Sequence, residues 1–311
     1  MANAPVGVPV RDPEYEPESR PGSWGVMNDK VIITCALTGV LANRDQCPWV
    51  PYTPGEIAAE AQRAYEAGAA VVHIHARTDQ GRPTYEPDRY ARIRAEIEKR
   101  CPVILNFSTG GSGPMESRVA HIAQVKPAMA ALNMGSMNYA KYSAKRKEFL
   151  FDFVFENTFR DIGFLLKVMK EANVKPELEC FDVGHTNSIW PLLDKGLLQR
   201  PLQFSFILGV LGGIRASAEN LALQAREAPP DSTWEVIGIS REQWRMVGAA
   251  LVLGGNVRVG LEDNFYLDSQ GAQMARSNGE LVAKAVRMAR DIGREPASVE
   301  EARRLLTLGA P

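Results

Sequence analysis

Residues 53–77 read TPGEIAAEAQRAYEAGAAVVHIHAR. The first part carries helix start signals: Thr53 as N-cap, Pro54 at the first helical position, and Glu56 closing a capping box. The second part, "VVHIHAR" (71–77), is a β-rich apolar run that ends in polar residues. A helix feeding straight into such a strand is half of a βαβ unit, and the same alternation recurs along the chain. Strands are expected at "VIITCAL" (31–37), "VILNFS" (103–108), "MAALNMG" (129–135), "PELECFD" (176–182), "LQFSFILG" (202–209), "WEVIGI" (234–239) and "NVRVGLED" (256–263). Helices are expected near 87–100, 115–124, 158–173, 187–195 and 217–226. Two more start at Ser240 with Gln243 and at Ser277 with Glu280. Eight strand-then-helix units predict an α/β fold closed as a (β/α)₈ TIM barrel. An open doubly wound sheet is the alternative, but no GxGxxG follows the first strand. The expected organisation is one barrel domain over 29–311 and an irregular N-terminal arm over 1–28, with prolines at 5, 9, 13, 17 and 21. Ser298 to Leu306 adds one appended, capped helix.

Composition excludes several functions. The chain is 45% hydrophobic and 23% charged, the balance of a soluble globular protein. A net charge of −1 with interspersed signs provides no footprint for nucleic acid or an anionic membrane. No apolar run approaches the ~18 residues of a spanning helix. The first 25 residues contain no apolar core of the signal-peptide kind, so a cytoplasmic location is expected. The four cysteines lack CxxC spacing, and Cys35, Cys101 and Cys180 in or beside apolar strands read as buried thiols.

In a TIM barrel the chemistry lies at the carboxyl ends of the strands. His73 and His75 end the second strand and, by alternation, share one face about 7 Å apart. The last strand ends "RVGLEDN", where a continued pleat sets Glu262 and Asp263 on opposite sides. Closure brings strand eight beside strand one and strand one beside strand two, so Glu262 can approach both histidines. Two His and a carboxylate form the donor set of a catalytic zinc site or a non-haem iron triad. Hydrogen-bonded histidines at the barrel mouth are the alternative. Asp263 and Arg258 read either as a general base with its orienting cation or as a structural ion pair. Two glycine-rich loops, "NFSTGGSG" (106–113) and "LGVLGGIRAS" (208–217), add donors from Ser108, Thr109 and Arg215. They suit an anionic ligand or are simply tight βα turns. His121 reads as a surface histidine, and His185 as a substrate contact or a turn cap. Met129, Met134 and Met137 read as packing.

"TCALTG", "VVHIHAR…GRP", "NFSTGG", "ALNMGSMN", "LGVLGG" and "GLEDN" occur in this order between about residues 31 and 306. Together they resemble the β-keto acid cleavage enzymes. The resemblance implies a zinc-dependent TIM barrel, a homotetramer, that condenses a β-keto acid with acetyl-CoA and releases acetoacetate and a new acyl-CoA. It also implies His73, His75 and Glu262 as metal ligands, Zn²⁺ or another divalent ion, with Asp263 as base and Arg258 as its partner. Ser108 and Gly111 match positions that hold the substrate carboxylate, and Ser136 stands where the aminohexanoate-cleaving members have Thr. Those members grip the substrate ammonium with a Glu after the first TG motif. Here Leu41 stands there, and Asp182 replaces a second Glu of the pocket. An ammonium beside Leu41 loses its charge-assisted bond, so a neutral or more apolar side chain is expected on the keto acid.

Three other functions compete. A binuclear hydrolase wants His-x-His on strand one and more histidines later, and only His121 and His185 remain. A lyase of the hydroxymethylglutaryl type would cleave a single CoA substrate. A non-catalytic keto-acid-binding barrel has no need of Asp263 and Arg258 beside a metal site.

Overall fold

The capping box expected at Thr53 forms: its hydroxyl accepts from the Glu56 N–H at 3.3 Å, and the Glu56 carboxylate accepts from the Thr53 N–H at 2.9 Å. The helix it starts, α1 (Pro54–Ala67), leads to the strand Val71–Ile74. A computed structural model describes residues 29–111 and 113–309; the arm expected over 1–28 lies outside them. Eight parallel strands close into a barrel in chain order. They are β1 (Ile33–Ala36), β2 (Val71–Ile74), β3 (Ile104–Ser108), β4 (Met129–Asn133), β5 (Lys175–Cys180), β6 (Gln203–Leu208), β7 (Thr233–Gly238) and β8 (Asn256–Val259). β8 pairs with β1, Arg258 opposite Thr34, and β1 pairs with β2, Ala36 opposite His73. The expected closure is therefore observed.

The helices are α2 (Pro87–Glu98), α3 (Met115–Val125), α4 (Phe159–Ala172), α5 (Val183–Asn187), α6 (Ile189–Asp194), α7 (Ala218–Glu227), α8 (Gln243–Val252), α9 (Asn278–Asp291) and α10 (Val299–Leu305). One residue of each strand pair, such as Ile33, Cys35, Val72, Ile74, Phe204 and Phe206, joins the main apolar core. Their neighbours have the opposite orientation and fill the barrel, as period-two alternation requires. At its foot Val71, Ile104 and Met129 pack with Ala302 and Leu306 at the C-terminal end of the chain. Higher up the filling is polar. Thr34 donates to Glu235 at 2.6 Å, Ser205 bridges Glu235 and Glu177, and Asn106 donates to Glu177.

Two local expectations fail. Ser240 does not cap a helix: with φ +56 it opens a 3₁₀ turn (240–242), and α8 starts at Gln243 without a side-chain cap. Its N–H instead donates to the Asp263 carbonyl at 2.8 Å. Between β4 and α4, where no element was expected, strands Met137–Ser143 and Glu148–Phe155 form an antiparallel hairpin. No helix of the described residues is long and apolar enough to cross a membrane.

Candidate active site

The rim is built around the ends of β1, β2 and β8. β8 stops at Val259, and Gly260 turns the chain with φ +146, where a Cβ would lie 2.1 Å from the Ala36 carbonyl oxygen. Only glycine fits that approach. Glu262 and Asp263 therefore lie in a turn and not in a strand, and they do not face opposite ways as the pleat implied. Both meet Arg258. Its Nη2 donates to Glu262 Oε1 at 2.6 Å, while Nε and Nη2 bind the two Asp263 oxygens at 2.9 and 3.0 Å. A third carboxylate, Glu179 from β5, lies 3.4 Å from Nη1. Gly39, at φ +59, adds its N–H to Glu262 Oε2 at 3.0 Å.

His73 and His75 converge on the same carboxylate. Their Nε2 atoms lie 3.6 and 3.4 Å from Glu262 Oε1, and their ring centroids are 5.2 Å apart. These separations are long for hydrogen bonds. They match the edge, roughly 3.4 Å, of a tetrahedron whose arms are the ~2.0–2.2 Å of zinc–nitrogen and zinc–oxygen bonds. Among the described residues neither nitrogen of fully buried His73 has a hydrogen-bond partner. Donor atoms of His73, His75 and Glu262 all lie within 4.8 Å of one another. The residues fit a small divalent cation.

Electrostatics separates the carboxylates. Burial works against charge on Glu262, but Arg258 and the histidines outweigh it and hold the group well below the usual range. Burial lifts Asp263 to about 6 against the pull of Arg258, and Glu179 to about 8. Burial, with Arg258 adding to it, keeps His73 neutral.

The glycine-rich loop after β3 forms the next wall. Ser108 Oγ accepts from the Gly110 N–H at 3.0 Å, and Tyr85 donates to the Gly110 carbonyl at 3.2 Å. Leu41, Ser108 and Gly111 line one cavity with Glu262 and Asp263. Ser136 and Asp182 are not among its walls. Ser136 Oγ accepts from the Asn157 N–H at 2.7 Å, and Asp182 caps α5 through the Gly184 N–H at 3.2 Å. His185 closes that same turn, Nδ1 accepting from the Phe181 N–H at 3.3 Å. Arg215 is exposed, and its carbonyl accepts from Asn220. His121 is not a surface residue. It is fully buried, stacked 3.9 Å from Tyr90, with Nε2 3.0 Å from the Ser108 carbonyl oxygen.

Glu179 was missed, although its signal was present. Glu177 and Glu179 alternate with apolar residues in a strand that must be covered on its outer face, so both point into the barrel. Tyr139, on the hairpin, was missed too. Burial and then Asp263 push its hydroxyl up to about 12.

Fold and rim together define a TIM-barrel enzyme. Residues 30–308 match the beta-keto acid cleavage enzyme (BKACE) family, and the chain belongs to it. It is 40% identical over 284 residues to the 3-keto-5-aminohexanoate cleavage enzyme of Fusobacterium nucleatum subsp. nucleatum, covering 91% of this chain and 99% of that one. It is 34% identical over 299 residues to the 3,5-dioxohexanoate:acetyl-CoA acetone transferase of Paraburkholderia graminis, covering 90% and 96%. Among solved structures, apo ObcA has a TM-score of 0.67 at 22% identity, covering 85% of this chain and 66% of ObcA, a likeness of fold.

Proposed function

We propose that the chain condenses a β-keto acid with acetyl-CoA and cleaves the adduct to acetoacetate and a new acyl-CoA, with His73, His75 and Glu262 holding a zinc ion. The observation that carries this reading is the position of Asp263. It is adjacent in the turn to a candidate metal ligand, gripped on both oxygens by Arg258, and open to the cavity. A divalent ion in that cluster would supply Lewis-acid polarisation of the keto and carboxylate oxygens. Asp263 takes the C2 proton, and Arg258 fixes the direction from which it does so. Ser108 and the Gly111 N–H hold the substrate carboxylate. The Ser136 hydroxyl, its oxygen already accepting from Asn157, keeps its own proton to donate. Leu41, 54% exposed on the cavity wall, faces an uncharged substrate side chain where an ammonium would go unpaired. Asp182 fixes, through the turn it caps, the segment that follows Phe181 of the cavity wall. No protein nucleophile takes part, in keeping with four buried free cysteines.

The proton step can be isolated. In D₂O without acetyl-CoA, the wild type should exchange the C2 hydrogens of a β-keto acid above the buffer rate, by NMR. Asp263→Asn should lose that exchange by about 10²-fold or more. An Asp263→Asn protein exchanging at the wild-type rate would remove Asp263 from the proton transfer.

A further inference from the structure

The hairpin 137–155 leaves the barrel beside the rim, and the chemistry above does not use it. Its root is anchored: Met137 packs with Phe181, Ile207 and Ile237 in the barrel mouth, and Tyr139 stacks on Phe151 and Phe153. From Met137 to Ser143 the strand spans roughly 20 Å, and most of its residues beyond Ala140 are exposed. The turn at its tip carries Lys145, Arg146 and Lys147, with Lys141 behind them on the strand. Among the described residues Lys141, Lys145 and Lys147 have no acidic partner, and Arg146 meets only exposed Glu148, at 3.5 Å. Next to these cations lie Tyr142 and Phe149, 48% and 57% exposed, their ring centroids 5.3 Å apart.

The cavity that contains Glu262 and Asp263 continues along this hairpin, with Lys141, Tyr142, Leu150 and Phe153 among its walls. Its volume is about 1620 Å³, beyond the ~300–1,000 Å³ usual for one small ligand. Unpaired cations and exposed rings at the far end of a long cavity suit a ligand with phosphates and a planar base at one end. That ligand must also reach the rim with the other end. We infer that the hairpin holds the nucleotide end of the CoA thioester, its phosphates against Lys141, Lys145 and Lys147 and its adenine on the exposed rings. The pantetheine arm then runs down the cavity to the rim. Base stacking on aromatic side chains and ammonium–phosphate attraction supply the binding, and the second of these weakens with salt. The assignment rests on the acetyl-CoA reaction proposed above.

The test compares wild type with Lys141→Ala/Lys145→Ala/Lys147→Asn, where Asn tolerates the left-handed φ of +57 at position 147. Free CoA is titrated calorimetrically at low and high salt, and turnover is measured with acetyl-CoA and with acetylpantetheine, which lacks the nucleotide. The variant should bind CoA about tenfold more weakly and raise KM for acetyl-CoA by the same factor. It should also lose most of the salt dependence, with kcat and acetylpantetheine turnover unchanged. Equal CoA affinity in the two proteins, with acetyl-CoA turnover intact, overturns the hairpin assignment alone. So does a variant that loses acetylpantetheine turnover. A wild type that neither binds CoA nor consumes acetyl-CoA overturns the underlying reaction and the assignment with it.

Discussion

Arg258 holds three carboxylates around one guanidinium, and its two-pronged contact with Asp263 is the geometry a lysine cannot reproduce. Arg258→Lys should lower kcat about 100-fold while leaving KM for acetyl-CoA within twofold, measured by steady-state kinetics. Leu41→Glu should move the preference among β-keto acids toward one bearing an ammonium, read as the ratio of kcat/KM for the amino and neutral substrates. An unchanged ratio would place the substrate side chain elsewhere. His121 gives a pH prediction. Burial holds it down at about 3, against roughly 6.5 in an unfolded chain. The unfolded state therefore binds its proton first, so the His121 contribution is complete above pH 6.5 and declines as pH falls toward 3. Between pH 6.5 and 5 it should cost about 2 kcal/mol. His121→Phe should remove that part of the acid sensitivity in urea unfolding of the metal-free protein. At this scale the sequence showed which residues meet, because strand order alone brings Glu262 to His73 and His75. It did not show how they meet: the pleat rule fails where Gly260 ends the strand.

Among the elements, those with strong local chemistry were the legible ones. Thr53 with Glu56 and Ser298 with Glu301 both close capping boxes, and their helices start where those residues predict. Thr53→Ala should destabilise the protein by about 1 kcal/mol, by urea denaturation, without altering kcat. Ser240 with Gln243 shows the limit of such signals. The left-handed backbone at Ser240 delivers its N–H to the Asp263 carbonyl, so a long-range contact decides the turn. The hairpin was not legible for a different reason. Its two strands carry apolar residues on both faces, with Tyr139, Phe151 and Phe153 on one and Tyr142 and Val154 on the other. The polar–apolar alternation that marks a half-buried strand is therefore missing.

The first and last units of the barrel are tied by a buried latch. Asn278, at the start of α9, accepts from the Leu261 N–H at 2.9 Å, and its own N–H and side-chain amide donate to Glu60 of α1 at 2.7 and 3.0 Å. The contact joins segments 218 residues apart and sits one residue from Glu262. Asn278→Ala leaves the Leu261 N–H and Glu60 short of partners. It should cost about 3 kcal/mol, and less when introduced into a Glu60→Leu background, as a double-mutant cycle reads. The barrel itself could be read from eight alternating segments. Its polar filling could not, because Thr34, Asn106, Ser205 and Glu235 each look like an isolated polar residue until closure brings them together.

The proposed β-keto acid cleavage with acetyl-CoA requires a metal held by His73, His75 and Glu262. Its most direct test follows acetyl-CoA consumption and acetoacetate formation over a panel of β-keto acids, on metal-analysed protein, wild type beside Glu262→Gln. Wild type should carry about one zinc per chain and form acetoacetate from one or a few acids with an uncharged side chain. Both should fall away in Glu262→Gln. Acetoacetate formed equally well by Glu262→Gln, or zinc-loaded wild type that turns over none of the acids, would contradict it.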